Sequence, residues 1–97
     1  MQTASTTVKI QNKKGLHARA AARFVKIAGA YEAEARVKKI TASGIEGDAS
    51  ASAVSILGLM MLGADPGTML QISAQGSQAQ DLVEALSRLV QEKFGEE

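Results

Sequence analysis

The chain has 97 residues, enough for one small domain with one core and too few for a multidomain enzyme. Eleven Lys+Arg nearly cancel ten Asp+Glu, and one Tyr with two Phe are the only aromatics, which counts against RNA or DNA binding by a basic stripe or by base stacking. The lack of cysteine removes disulfides, thiolate chemistry and most zinc sites, and no apolar run approaches the roughly 18 residues of a spanning helix. The start, Met1-Gln2-Thr3-Ala4-Ser5, has no charged-then-apolar signal, so a soluble, cytoplasmic protein is expected.

The first predicted element is a strand in which Thr6, Val8 and Ile10 alternate with Thr7, Lys9 and Gln11. A helix follows over residues 18–29. Ala20, Ala21, Phe24, Val25 and Ala28 form its apolar face, and Arg19, Arg23 and Lys26 fall together on the other. That cationic stripe is expected to be a solvated face, open to an acidic partner. Ala33, Ala35 and Val37 then alternate with Glu32, Glu34, Arg36 and Lys38, a strand with one wet face. Residues 45–51 are poor strand formers and are assigned to the sheet mainly because it needs a partner there.

A short helix is expected over residues 55–62, with Ser55 or Ser52 as its N-cap. Either Leu57, Met60 and Met61 or Ile56 and Leu59 can turn inward. The helix carries more apolar residues than one face needs, so some are expected to be exposed, and the excess reads either as core or as a docking surface. After the Asp65-Pro66-Gly67 turn, Leu70, Ile72 and Ala74 alternate as a fourth strand. The last helix starts from Ser77, expected to pair with Gln80 in a capping box. It carries a stripe through Ala79, Leu82, Val83, Leu86, Leu89, Val90 and Phe94 for about five turns, ending at Gly95. The order strand, helix, strand, strand, helix, strand, helix makes a two-layer α+β sandwich. Residues 1–97 form a single domain on this reading, with 1–5 and 95–97 expected to fray.

His17, the one histidine, follows a glycine turn and immediately precedes a helix. The first helical N–H groups have no intrahelical partners and carry positive potential, which disfavours an imidazolium and leaves a ring lone pair free. A phosphoryl group placed there would meet backbone donors and Arg19. His17 therefore reads either as a phosphate-accepting nucleophile or as an ordinary capping or surface residue. No acidic residue lies near it in sequence to orient it, although a fold can bring one close. Ser55 reads either as a plain N-cap or as a regulatory phosphorylation site at a helix end. One histidine with no cysteine gives no metal site, and no cofactor is expected.

The run Gly15-Leu16-His17-Ala18-Arg19-Ala20-Ala21-Ala22-Arg23-Phe24-Val25 resembles the active-centre segment of the HPr family, the histidine phosphocarriers of the bacterial phosphotransferase system. Ser55-Ile56-Leu57-Gly58-Leu59-Met60-Met61-Leu62-Gly63-Ala64 resembles that family's regulatory-serine segment and second helix. The likeness runs from about residue 6 to 94 and looks closest to the nitrogen-related, proteobacterial branch rather than settling sugar transport against nitrogen regulation. It implies an open-faced β-sandwich, a four-stranded antiparallel sheet covered on one face by three helices. It also implies a phosphoryl carrier rather than a stand-alone enzyme: His17 takes phosphate from enzyme I (phosphoenolpyruvate-protein phosphotransferase) on Nδ1 and passes it to an enzyme IIA domain. By the same resemblance Arg19 balances the phosphate charge, and Ser55 is the target of HPr kinase/phosphorylase where that enzyme exists. Ala18, Ala20, Arg23, Ile56, Leu57 and Met60 would contact partners, and the protein would be a monomer. Two departures stand out: Ala20 occupies a position where most members have proline, and the segment between Tyr31 and Ser55 is several residues longer than usual. The extra length is expected in a wider loop over residues 39–47. The rival reading is a regulatory binding protein worked through Ser55 without a relay.

Overall fold

A computed structural model describes residues 2–40 and 46–96. The elements are β1 (Gln2–Lys9), α1 (Ala18–Ala28), β2 (Glu34–Ile40), β3 (Glu46–Ser52), α2 (Ile56–Met61), β4 (Met69–Gly76) and α3 (Ala79–Gln91), closed by a 3-10 turn at Lys93–Gly95. The strands form one antiparallel sheet in the order β1-β4-β2-β3. The three helices lie on one face of it and the other face is open.

Alternation explains which face is covered. Val8 and the following Ile10, Ala35 and Val37, Ala51, and Leu70, Ile72 and Ala74 point into the core, while their neighbours are wet. A strand's side chains alternate faces, so a single buried face needs every second residue apolar. Helices α1 and α3 answer with Ala20, Ala21, Phe24 and Ala28, and with Leu82, Val83, Leu86 and Val90, stripes of helical period that join the sheet's inner face in one core, α3 against β1, β4 and β2 and α1 against α2 and α3. The weakly expected strand is present as β3, although Ile45 lies outside the described residues.

Several expectations need correction. Gln2–Ser5 does not fray: it pairs along β4 from Gln2 opposite Gly76 to Ser5 opposite Ser73. Gly95 and Glu96 do not fray either, and their contacts are described below. The capping box is not formed. Gln78 is the N-cap of α3 without a side-chain cap bond, and Ser77 Oγ donates instead to the Glu32 carbonyl. Gln78 clasps Glu32 from both sides, its N–H donating to the Glu32 carbonyl at 3.0 Å and its Oε1 accepting the Glu32 N–H at 2.8 Å. A tertiary clasp thus replaces the local cap.

The last helix also stops early, at Gln91. Lys93 and Phe94 both take φ 57° and Gly95 takes φ 75°, so three left-handed residues in a row fold the tail back toward α1. The predicted wide loop over 39–47 is partly strand, since Lys39 and Ile40 belong to β2 and Glu46 and Gly47 to β3; residues 41–45 lie outside the described residues. Some extra length enters as a bulge. Between the pairs Lys38↔Ser50 and Ile40↔Glu46, β3 advances four residues while β2 advances two.

Candidate functional site

The turn before α1 is shaped by Gly15 and Asn12. Gly15 takes φ +66° and its Cα lies so close to the loop after α2 that a Cβ would stand 2.4 Å from the Ala64 carbonyl oxygen. Any side chain would be both strained and blocked there. The Leu16 N–H donates to that same carbonyl at 3.0 Å, which ties the turn to the end of α2. Asn12 is buried to 1% exposure; its Nδ2 donates to the Gly15 carbonyl at 2.8 Å and its Oδ1 has no hydrogen-bond partner among the described residues.

His17 emerges from this turn as the N-cap of α1, with extended backbone (φ −82°, ψ −176°). Its Nδ1 accepts the Arg19 N–H at 3.3 Å. Its Nε2 lies 2.8 Å from Glu96 Oε2, so the acid absent from its sequence neighbourhood is supplied by the far end of the chain. These two contacts assign the tautomer: a carboxylate only accepts, so Nε2 carries the proton and Nδ1 keeps its lone pair. The Nδ1 contact is long for an N–H donor and weak, so the lone pair is tied only loosely. The ring is 23% exposed and Glu96 16%.

Glu96 is the hub. Its Oε1 accepts from Asn12 Nδ2 at 3.1 Å, and its Oε2 also lies 3.5 Å from Arg19 Nη1. Partial burial pushes its carboxyl up, but hydrogen bonds from His17 and Asn12, the charge of Arg19 and that of the His17 ring whenever it is cationic outweigh this and hold it below the ordinary carboxylate value. The tail that delivers Glu96 is anchored by Phe94, which is fully buried, and by the Arg23 guanidinium, which donates to the Phe94 carbonyl. The cationic stripe of α1 is therefore not simply a solvated face: Arg19 and Arg23 both turn toward the tail. An open hollow of about 360 Å³ beside them is lined by Lys13, Lys14, Arg19, Arg23 and Glu96. Among the described residues no cluster could hold a metal ion.

The remaining expected residues divide. Ala18 is exposed next to His17, but Ala20 has no exposure at all and its side chain cannot meet a partner. It belongs to the packed face of α1, which the period of that helix already placed inward. Ser55 caps α2, its Oγ accepting the Gly58 N–H at 3.0 Å. Within α2 only Leu59 is buried, followed by Leu62. Ile56, Leu57, Met60 and Met61 are 41%, 68%, 41% and 76% exposed, and Val54 just before them is exposed too. Asn12 and Glu96 were not singled out from sequence. Asn12 before a glycine turn is the one local signal that could have found the first; nothing local marks the second.

The family model described as the PTS HPr component phosphorylation site matches residues 4–92. Over 89 residues the chain is 40% identical to the phosphocarrier protein HPr of Pseudomonas aeruginosa, covering 92% of each. It is 37% identical over 89 residues to the phosphocarrier protein NPr of Shewanella violacea, covering 92% of this chain and 90% of that relative. Among solved structures, HPr-C-His from Thermoanaerobacter tengcongensis superposes with a TM-score of 0.83 at 36% identity, over 97% of this chain and 98% of that one.

Proposed function

This chain belongs to the HPr family of the phosphotransferase system, and we propose that His17 is the residue on which it carries a phosphoryl group. The observation that supports this reading is the pair of contacts on the ring: Nε2 held by Glu96 and Nδ1 facing the N-terminus of α1 with its lone pair only loosely engaged. The Nδ1 lone pair attacks phosphorus of the phosphorylated donor, the P–N bond forms, and the bond to the donor's leaving atom breaks. The ring becomes cationic as Nδ1 is substituted, and the Glu96 carboxylate at Nε2 stabilises that charge. The phosphoryl oxygens meet the Arg19 N–H released from Nδ1, the Arg19 guanidinium and the first turn of α1.

Return of the group requires that the site hold it only modestly. An exposed helix end with one flexible arginine, 60% exposed, meets that need better than a closed anion pocket. Membership of the family implies partners among the phosphotransferase enzymes. We assign the donor role to enzyme I and the acceptor role to an enzyme IIA domain, both reached in the cytoplasm by a monomer. Both would dock through Ala18, Arg23 and the apolar face of α2, Ile56, Leu57 and Met60, which lies next to the His17 turn through the Leu16–Ala64 bond. The family match does not favour a Ser55-centred regulator without a relay. Modification of Ser55 by HPr kinase/phosphorylase remains a compatible control, because the half-exposed hydroxyl stands at the border of that face.

The test is incubation with phosphoenolpyruvate and enzyme I, followed by mass mapping before and after acid treatment. Acid-labile phosphate on His17 is expected, and His17→Ala should abolish it while the fold survives, since loss of an N-cap costs about 1 kcal/mol. Full phosphorylation of the His17→Ala variant would overturn the assignment.

A further inference from the structure

Resting on the docking role assigned to α2, we propose that Met60 and Met61 form an oxidation-sensitive modification site, with peroxide-class oxidants as its substrates. Two adjacent thioethers, 41% and 76% exposed, stand at the end of a helix whose only buried residue is Leu59. The third described methionine, Met69, is partly covered in β4. In the reaction a sulfur lone pair attacks one peroxide oxygen, the S–O bond forms and the O–O bond breaks. The departing hydroxide takes the remaining proton and leaves as water. Sulfur is oxidised by two electrons and the peroxide reduced by two.

Each event turns an apolar, adaptable side chain into a polar one with a strong acceptor oxygen. Neither side chain packs in the core, so the change falls on the docking face and not on the fold. A protein surface that meets this face would have to desolvate a sulfoxide with no matching donor, which opposes association. Methionine sulfoxide reductases reverse the step, so the modification would lower relay flux while oxidant is present and release it afterwards.

The experiment treats the intact protein with hydrogen peroxide and follows +16 Da on each methionine-bearing peptide over time. It then measures phosphoryl uptake from enzyme I. Met60 and Met61 should oxidise well before Met69, and uptake should slow by about tenfold, as the cost of desolvating an unpaired polar group implies. Reductase treatment should restore the rate, and the Met60→Leu/Met61→Leu double variant, measured against its own untreated rate, should show no slowing after the same exposure. Oxidation of Met69 ahead of the pair, or a full rate with both sulfoxides in place, would overturn the proposal. Failure of the untreated protein to accept phosphate would instead sink the functional reading, while the order of oxidation still decides whether the site is there. Unchanged far-UV circular dichroism after oxidation is the expected control, and a lost spectrum would overturn the claim that the effect is confined to docking.

Discussion

Glu96 is the residue with most of the site's electrostatics concentrated on it. Replacing it with glutamine keeps an acceptor within reach of Nε2 but removes the charge that stabilises the substituted ring. A charge-assisted hydrogen bond is stronger than a neutral one, so Glu96→Gln should slow phosphoryl uptake on His17 by about tenfold or more. A purely structural role would not move that rate while leaving the spectrum of the folded protein intact. The variant also tests pH dependence. A carboxyl held below its ordinary value in the fold binds its proton less readily there than in the unfolded chain, so its contribution to stability is present above the unfolded value. That contribution is lost as pH falls through the folded one. The wild-type thermal midpoint should therefore fall toward that of Glu96→Gln as the solution is acidified below the ordinary carboxylate range. Two parallel curves would contradict the arrangement. None of this was visible from the order of residues, because His17 and Glu96 stand 79 positions apart. An acid in a Gly-Glu-Glu ending carries no periodic signal, and the left-handed turn that precedes Glu96 sets its direction.

At the level of elements, the turn from Gly15 to Leu16 couples the nucleophile to the end of α2. Gly15→Ala would force a left-handed alanine, costing about 1 kcal/mol, before the clash with Ala64 is counted. For a domain of this size such a loss lowers the melting midpoint by about 4–8 °C. Calorimetry should show a drop at least that large, together with slower uptake on His17 as the ring loses its alignment. By contrast, Ser55→Ala removes only the α2 cap, about 1 kcal/mol. It should lower the midpoint and leave phosphorylation of His17 at its normal rate. The periods of α1 and β4 were readable because each buries a single face against one partner layer, so apolar spacing and geometry say the same thing. The start of α3 was not: the Gln80 N–H that Ser77 was expected to accept goes to Gln2 Oε1, while Ser77 Oγ and the Gln78 N–H both donate to the Glu32 carbonyl. The inward side of α2 was only half readable. Ile56, Leu57, Met60 and Met61 are as apolar as a core face, and it is Leu59 with Leu62 that pack. An apolar residue kept for docking looks the same in sequence as one kept for folding.

For the molecule as a whole, one core serves both stability and the relay, and Phe94 is where the two meet. Its side chain is fully buried, and its carbonyl is held by Arg23. Phe94→Ala should cost about 3–5 kcal/mol, a large part of the total for a domain of this size. It should also raise amide exchange at residues 95–96 and slow uptake beyond what the lost stability explains, because Glu96 is no longer delivered. Besides two local backbone bonds, Gly95 N–H to the Glu92 carbonyl and Glu96 N–H to the Lys93 carbonyl, the left-handed residues before Glu96 are joined to the rest, among the described residues, by that ring, that guanidinium and the carboxylate itself. So short a segment, with two local turn bonds and no sheet ladder along it, is expected to open first on warming. Relay competence should then fade several degrees below the temperature at which the sheet and helices melt, a lag visible by comparing phosphoryl uptake with circular dichroism on one heating series. A carrier built this way withdraws from traffic while its fold is still recoverable, so a damaged molecule stops passing phosphate before it becomes a misfolded one.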